Sequence, residues 1–280
     1  MSLEKRDGIV TLEKEGVFQA STFPGFCSKH DAALFRDIEL PHAELSPRNS
    51  LLLSYRAVVF EKCRKEAQLS SSLAQRDFID AGVGFEHQRA LQNMEYESQV
   101  GMRYGCAEVA RAKGQYDKAL NNDDLSGYSF YGILFESELP FVVCGAFFPA
   151  TDFSGNWLQS PSQPDHNLVT LNVSLLGGVT CAVLGWYGGV NGAAAKLVDS
   201  LRAVPAAEKA NAVLTLAVEY LENFYCNPTW WDNLPSNVSS RLYSKIAGGV
   251  FARSQTALVE PELGAIAVDA IAEVINISSG

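Results

Sequence analysis

The chain has 280 residues, of which 47% are hydrophobic and 19% charged, and its net charge is −10 from 32 acidic and 22 basic residues. This composition excludes a disordered or fibrous chain and supplies ample apolar material for a buried core. The acidic balance also disfavours general binding to nucleic acid, because such binding needs an excess of positive charge facing the phosphates. The most basic stretch, EKCRKEAQ, has the mixed-sign charges of a solvated helix face, so we do not expect nucleic acid as a partner.

The apolar runs of the chain argue against export and membrane insertion. The opening, MSLEKRDGIV, lacks the apolar core of a secretory signal. The longest apolar runs, LPFVVCGAFF and TCAVLGWYGGV, are much shorter than the roughly twenty residues that span a bilayer. We therefore expect a soluble, cytoplasmic protein with no membrane partner. Its widely spaced cysteines are expected as free thiols, with Cys144 and Cys181 in the core.

The first half of the chain carries strand signals and then helix signals. Residues 8–23 alternate apolar and polar side chains around Gly16, which predicts a hairpin. A short helix that opens at Asp31 follows, and the two form a predicted knuckle over residues 8–40. Ser46 is a predicted N-cap with Pro47 at the first helical position. Two long helices then predict a helical hairpin over residues 46–120, with the second helix at about 85–120.

The pattern changes to strands after residue 120. Four stretches rich in β-branched and aromatic residues predict a four-stranded, mainly antiparallel sheet over residues 127–188. Gly177-Gly178 is a predicted hairpin turn, and a long polar loop with Trp157 separates the second and third strands. Long loops of this kind are often functional. Helical patterns return over residues 193–280, including the tail ELGAIAVDAIAEVI. This order favours an α+β fold that forms a single domain over residues 1–280.

The stretch FPGFCSKHDAALF holds the densest group of chemically competent side chains. Cys27 and His30 have the two-residue gap of a zinc-ligand pair at the start of a helix. Tetrahedral zinc needs further ligands, and the sequence has no second pair of this kind, only His42, Asp31 and Glu39 nearby. We therefore expect no cofactor and no stoichiometric zinc, with Cys27 and His30 as the ligands if zinc binds. The structural alternative is a buried Cys27, a His30 that bonds a carbonyl, and a helix capped by Asp31.

The run TFPGFCSKHDAALFRDIE resembles a segment of uncharacterised bacterial proteins with the pattern Gly-Phe-Cys-x-x-His-Asp-x-x-Leu-Phe-x-x-Ile-Glu. The later run ENFYCNPTWWDNL is similar to a second recurring element of those proteins. The resemblance covers residues 22–39 and 222–234, and it assigns no activity. Proteins of this pattern typically carry an upstream segment with its own Cys and His residues, which this chain lacks. The resemblance therefore implies a bacterial origin, and the missing upstream ligands weaken a metal prediction for Cys27 and His30.

A second hypothesis makes Cys27 a catalytic nucleophile with a histidine base. The helix dipole favours the thiolate at a helix N-terminus, as reactive cysteines require. One helical turn would bring His30 into reach, and His87 and His166 are the other candidate bases. The glycines of GWYGGVNGAAAK have neither the P-loop ending nor the dinucleotide spacing.

Two residue pairs are candidates for contact with a ligand or partner. Trp230 and Trp231 would stack on a ligand or partner chain, or close a turn between helices. Arg48 and Arg56, two turns apart on the first long helix, would bind an anion or pair with acidic side chains.

Two functional classes follow from these observations. The first is a non-enzymatic binding or regulatory protein with a degenerate or partial metal knuckle, acting through a protein partner. The second is a cysteine-dependent hydrolase that uses Cys27 with His30 or His87.

Overall fold

The computed structural model describes residues 2–6, 9–16, 23, 25–160, 166–248 and 264–278. These residues form a mixed helix-and-sheet fold, as the sequence predicts. The helices are α1 (Ser28–Glu39), α2 (Pro47–Gln75), α3 (Phe85–Asn122), α4 (Ala193–Arg202), α5 (Lys209–Tyr220), α6 (Pro228–Asp232) and α7 (Ser236–Gly248). The strands are β1 (Ser2–Arg6), β2 (Ile9–Glu13), β3 (Tyr128–Phe135), β4 (Phe141–Phe147), β5 (Val169–Leu176), β6 (Val179–Tyr187), β7 (Phe224–Cys226) and β8 (Ala270–Asn276).

A six-stranded antiparallel sheet organises the fold, with strand order β7-β4-β5-β6-β3-β8. Gly177 and Gly178 form the turn between β5 and β6, with φ angles of 58° and 83°. Glycine adopts these angles without the steric cost that other residues carry, and two such residues match the twist of a tight hairpin. The predicted hairpin turn is therefore confirmed.

The helical hairpin of α2 and α3 is confirmed and covers one face of this sheet. Ser46 caps α2, because its hydroxyl accepts the N–H of Asn49 at 3.1 Å. Beneath α2, the Ser54 hydroxyl lies 2.8 Å from that of Tyr128 and 2.7 Å from that of Thr170. This buried hydroxyl chain joins α2 to β3 and β5.

Helices α4, α5 and α7 cover the opposite face and form a second apolar layer with it. Asn211 on α5 also fixes the chain that leads into β8. Its side-chain oxygen accepts the N–H groups of Ala265 and Ile266 at 3.0 and 3.1 Å, and its amide donates to the Ile266 carbonyl at 2.8 Å. The side chains of this layer that are almost completely buried include Phe141, Leu171, Trp186, Leu197, Leu216 and Leu242.

The sheet has six strands, so the expectation of four is wrong in number. α5 ends at Tyr220, and β7 pairs with Phe141–Val143 of β4 where the sequence predicts a continuing helix. β8 pairs with β3 where the sequence predicts a helical tail. The alanines and the glutamate of β8 are good helix formers, but propensity differences amount to less than about 1 kcal/mol per residue. The edge of β3 satisfies the backbone of β8 and overrides that preference.

The N-terminal hairpin lies earlier in the chain than predicted. Residues 2–6 pair with residues 9–13, whereas the sequence predicts a hairpin around Gly16. Residues 17–22 and 24 of the predicted knuckle lie outside the described residues. α1 begins at Ser28 with Cys27 as its N-cap, so Asp31 lies in the first turn and does not cap the helix.

The far halves of α2 and α3 extend beyond the sheet. Large apolar side chains are exposed at this end of the hairpin, including Leu73 of α2, Phe85 of α3, and Phe78 and Val83 of the connection between them. Within the described ranges, no helix combines the length and the apolar character needed to cross a membrane. The single-domain interpretation stays a prediction.

Candidate functional site

Cys27 and His30 are in direct contact at the start of α1. The Cys27 Sγ lies 3.2 Å from the His30 Nδ1, and both side chains are exposed. The contact follows from helix geometry, because residues three apart share a face. The structure therefore brings the two predicted residues together, and the alternative of a buried Cys27 does not hold.

The surroundings of this pair do not complete a tetrahedral metal site. Among the residues that the structure describes, no group of three or more Cys, His, Asp or Glu side chains could hold a metal ion. Glu39 instead accepts a hydrogen bond from Arg56 at 2.7 Å, and Asp31 lies 3.9 Å from the same guanidinium. Cys27 and His30 supply two of the four donors that zinc takes. The expected absence of zinc stays a prediction.

His87 lies far from Cys27. It is exposed in the first turn of α3, beyond the end of α2 at Gln75. α1 packs on α2 near Arg56, whose guanidinium lies 4.1 Å from the centroid of the Phe35 ring. At 1.5 Å per residue, roughly 30 Å of helix separates Arg56 from the end of α2. The structure therefore does not pair His87 with Cys27.

Arg48 and Arg56 each pair with a carboxylate from another part of the chain. Arg48 donates to Asp123, which follows α3, at 2.9 Å, and Arg56 donates to Glu39 of α1 at 2.7 Å. The two cations are thus engaged in ion pairs, which favours the pairing interpretation over an anion site.

Trp230 and Trp231 are half-buried in α6 and pack against the core on the α5 face of the sheet. Their rings meet edge to face with centroids 6.3 Å apart. The Trp230 indole N–H donates to the Ala265 carbonyl at 3.1 Å. These contacts favour the interpretation that the pair closes a turn, and contact with a ligand stays a prediction.

A large cleft, here called the hairpin cleft, opens between the helical hairpin and the sheet. Its volume is about 850 Å³. The middle of α2 and of α3 form its roof, and the end of β4 and the corner between α5 and β7 form its floor. The floor is largely apolar, and the apolar lining of the cleft includes Phe60 of the roof together with Ala146, Phe147, Phe148, Leu168, Tyr220 and Leu221.

His166 forms one wall of the hairpin cleft and is almost completely buried. Its Nδ1 lies 3.8 Å from the Glu108 carboxylate, and its Nε2 lies 2.7 Å from the Ser160 carbonyl oxygen. Phe148 and Tyr104 meet the imidazole edge to face, with ring centroids 5.4 and 6.3 Å away. The short Nε2 contact and the two aromatic rings hold the His166 imidazole in place as part of the wall.

The charged side chains at the rim of the cleft are paired with one another. Lys65 lies 3.1 Å from the Glu61 carboxylate, and Arg64 lies 3.7 Å from that of Glu222. Burial raises the pKa of Glu61, and this effect outweighs the opposing one of the Lys65 ammonium. A carboxyl with a raised pKa in a cleft is typical of functional sites.

A smaller cavity of about 210 Å³ adjoins the hairpin cleft. It shares Glu108, Phe148, His166 and Leu168 with the cleft. Arg111 lines it and donates to Glu108 at 2.7 Å, so the carboxylate between the two cavities is also paired.

Two glycines of α3, Gly101 and Gly105, line the hairpin cleft. A Cβ at Gly101 would meet no atom within 4 Å, and one at Gly105 would meet the Lys65 side chain at 3.7 Å. Glycine inside a helix costs about 1 kcal/mol relative to alanine. The missing side chains leave the roof of the cleft open.

Sequence reasoning identifies one wall of the cleft and misses the rest. The predicted functional loop ends at His166, which does line the cleft. Glu61 and Glu108 give no local signal, because they meet the floor only through the tertiary packing of distant segments. Gly101 and Gly105, four residues apart within a predicted helix, are the one available signal, since an interior glycine often has a packing or functional reason.

Comparison with known proteins provides no relative from which an activity could be transferred. No protein-family model matches the chain, and neither a curated protein nor a solved structure matches it significantly. The function is therefore inferred from the chemistry of the described residues.

Proposed function

We propose that this chain is a non-enzymatic binding protein whose hairpin cleft holds an uncharged, amphipathic organic molecule. The observation that carries the proposal is a cleft of about 850 Å³ with an apolar floor and paired rim charges. Small-molecule sites typically enclose about 300–1,000 Å³ and combine apolar walls with a few polar groups. The hairpin cleft has this size and an apolar floor, and its walls and rim carry further polar and charged side chains.

The floor of the cleft favours a ligand with a substantial apolar body. Phe147, Leu168 and Leu221 are each less than one-tenth exposed, and all three line the cleft. Burial of apolar ligand surface against them contributes roughly 25 cal/mol per Å² before the entropic cost of binding is subtracted. Aromatic side chains on two walls, Phe148 and Tyr104, also favour a ring-containing ligand.

The paired charges favour an uncharged ligand. An anion would compete with Glu61 for Lys65, and a cation would compete with Arg64 for Glu222. Displacing Glu61 from Lys65 is the costlier of the two, because Glu61 is the most buried of the four side chains, whereas Arg64 and Glu222 are mostly exposed. Neutral hydrogen-bonding groups of the lining, such as Gln68 and Asn223, are suited to the polar end of a neutral ligand.

Titration with two fluorescent dyes tests this proposal. We expect Nile red, a neutral ring compound, to bind saturably at one site per chain. The anionic dye 1-anilinonaphthalene-8-sulfonate should bind at least about tenfold more weakly, equivalent to 1.4 kcal/mol.

A matched pair of glycine variants on α3 locates the site. Gly101→Phe projects a ring into the cleft and should abolish Nile red binding. Gly114→Phe is the control, because a Cβ at Gly114 also meets no atom within 4 Å and Gly114 lines neither cavity. Equal loss of binding in both variants, or no loss in either, would contradict the proposal.

A second candidate function, a cysteine-dependent hydrolase, is favoured by the 3.2 Å contact between Cys27 and His30. In such a reaction the Cys27 thiol would pass its proton to His30 and its sulfur would add to the substrate's carbonyl carbon. The leaving group would take the proton from His30, and water would then cleave the acyl-thioester. Neither cavity described above is lined by this pair, so the binding proposal ranks first.

Alkylation by iodoacetamide, read for each cysteine by mass spectrometry, tests the hydrolase candidate. An activated Cys27 should react at neutral pH much faster than a free thiol with a pKa of about 8.5, and His30→Ala should slow it. Burial raises the pKa of Cys144 to about 12 and of Cys181 to about 11, so these serve as internal unreactive controls. A Cys27 that reacts no faster than a free thiol would eliminate this candidate.

A further inference from the structure

The two edges of the six-stranded sheet differ in their protection. β7 is three residues long, and Pro228 follows it at the start of α6. Short edge strands and nearby prolines are common protections against pairing with another chain. β8 is seven residues long, contains no Pro, Lys or Gly, and pairs only with β3 in the described part of the chain. Its outer N–H and C=O groups therefore form the longer open edge.

β8 also presents apolar side chains to solvent. Ile271 is 61% exposed, and Ile275 and Ile277 are each 37% exposed. Alternation along the strand places Ile271 and Ile275 on one face with Glu273, and Ile277 follows the end of β8. Ile271 and Ile275 flank Glu273 symmetrically, so an antiparallel pair centred on Glu273 would set Ile271 of one copy opposite Ile275 of the other. The strand is thus complementary to itself.

The one charged residue within β8 has its counter-charge in the same copy of the chain. Glu273, the single charged residue of β8, lies 2.9 Å from the ammonium of Lys209, which is almost completely buried. Arg202, whose carbonyl accepts a hydrogen bond from Lys209, pairs with Asp199 at 3.3 Å. An unpaired inward-pointing charge would protect an edge strand, but Glu273 already has its counter-charge. In a pair centred on Glu273 the two Glu273 side chains face each other, and the Lys209 ammonium of each copy offsets this like-charge contact.

We infer that β8 pairs antiparallel with β8 of a second copy of this chain about a twofold axis, which joins the two sheets into one. Antiparallel pairing continues the pattern of the whole sheet, and a twofold contact closes the assembly as a dimer. The second copy is the favoured occupant because the strand is self-complementary in shape and neutral in charge. The inference is independent of the ligand proposed for the hairpin cleft.

Size-exclusion chromatography of the full chain, with the molar mass measured by light scattering, tests the inference. We expect a mass of twice 30.4 kDa. Ile271→Lys and Ile275→Lys should each convert the dimer to monomer at the same protein concentration, because each brings cations to the twofold contact. Hydrogen exchange of the β8 amides should also slow with rising protein concentration, and only in the wild-type chain.

Leu175→Lys is the matched control, since Leu175 is another exposed apolar residue, near the turn between β5 and β6. This variant should remain dimeric. Circular dichroism identifies any variant that fails to fold. If one of the two isoleucine variants does not fold, the oligomeric state of the other one tests the inference. A monomeric wild-type chain, dimers that survive both isoleucine changes, or β8 amides that exchange slowly in a monomer would each overturn the inference.

Discussion

Glu61 is the residue at which the hairpin cleft departs most clearly from ordinary surface chemistry. Burial raises its pKa above the usual 4.5, so the folded chain binds the proton more tightly than the unfolded chain does. The free energy of unfolding therefore falls as the pH rises from the ordinary pKa of a glutamate through the raised pKa of Glu61 in the folded chain. Glu61→Gln should raise the melting temperature at about pH 8 and have little effect at about pH 4, where the glutamate is largely protonated in both states.

Thermal unfolding of Glu97→Gln across the same pH range is the control, because Glu97 is exposed on α3. Its effect on the melting temperature should be small and nearly independent of pH. A Glu61→Gln variant that is destabilised at high pH would show that the pair with Lys65, and not burial, dominates the site.

For single residues, the sequence predicts contacts that form within one helix or strand. The contact between Cys27 and His30 is predictable because three-residue spacing within a helical turn sets it. The pairing of Glu108 with His166 is not, because it joins α3 to a loop more than fifty residues later. Local spacing carries no information about which distant segments meet, so sequence reasoning identifies His166 only as a candidate base.

Among the elements, β8 depends on one ion pair beyond its ladder with β3. Burial alone would raise the pKa of Glu273, but hydrogen bonds from Lys209 and Tyr131 lower it, and the net shift is downward. The ion pair of Glu273 stabilises the fold fully at a pH above the ordinary pKa of 4.5. This stabilisation is lost as the pH falls through the lowered pKa of Glu273 in the folded chain. Glu273→Gln should cost about 1 kcal/mol at neutral pH, since partial exposure of Glu273 screens the pair.

A double-mutant cycle with Lys209→Met, measured by urea unfolding, isolates the interaction free energy between Glu273 and Lys209. Lys209 also donates to the Leu201 and Arg202 carbonyls at 3.1 Å, so its loss should cost more, about 2–4 kcal/mol. The cost of Glu273→Gln should nearly vanish in the Lys209→Met background. An unchanged cost would mean that Glu273 acts through something other than Lys209.

The helices are predictable from sequence and the edge strands are not, for a physical reason. Ser46 and the long periodic runs after it are local signals, and α2 and α3 follow them. β7 and β8 lie at the edges of the sheet and exist because β4 and β3 offer unpaired backbone. Such pairing is decided by tertiary context more than by strand propensity.

The whole molecule is predicted to unfold as a single unit. Ser54 of α2 bonds Tyr128 and Thr170 of the sheet, so the helical hairpin and the sheet share a buried polar connection. Limited proteolysis should therefore remove exposed segments first and should not yield two stable halves from a cut within residues 121–127. Two such fragments, each with native circular dichroism, would contradict the single-domain prediction.

Methyl NMR during titration with Nile red tests the central claim most directly, because it locates the ligand as well as detecting it. We expect saturable shifts for the methyls of Ala146, Leu168 and Leu221, which line the hairpin cleft. The methyls of Leu73 and Val83, exposed apolar residues near the end of the helical hairpin, should not move. Shifts confined to Leu73 and Val83, with the cleft methyls unchanged, would contradict a ligand site in the hairpin cleft.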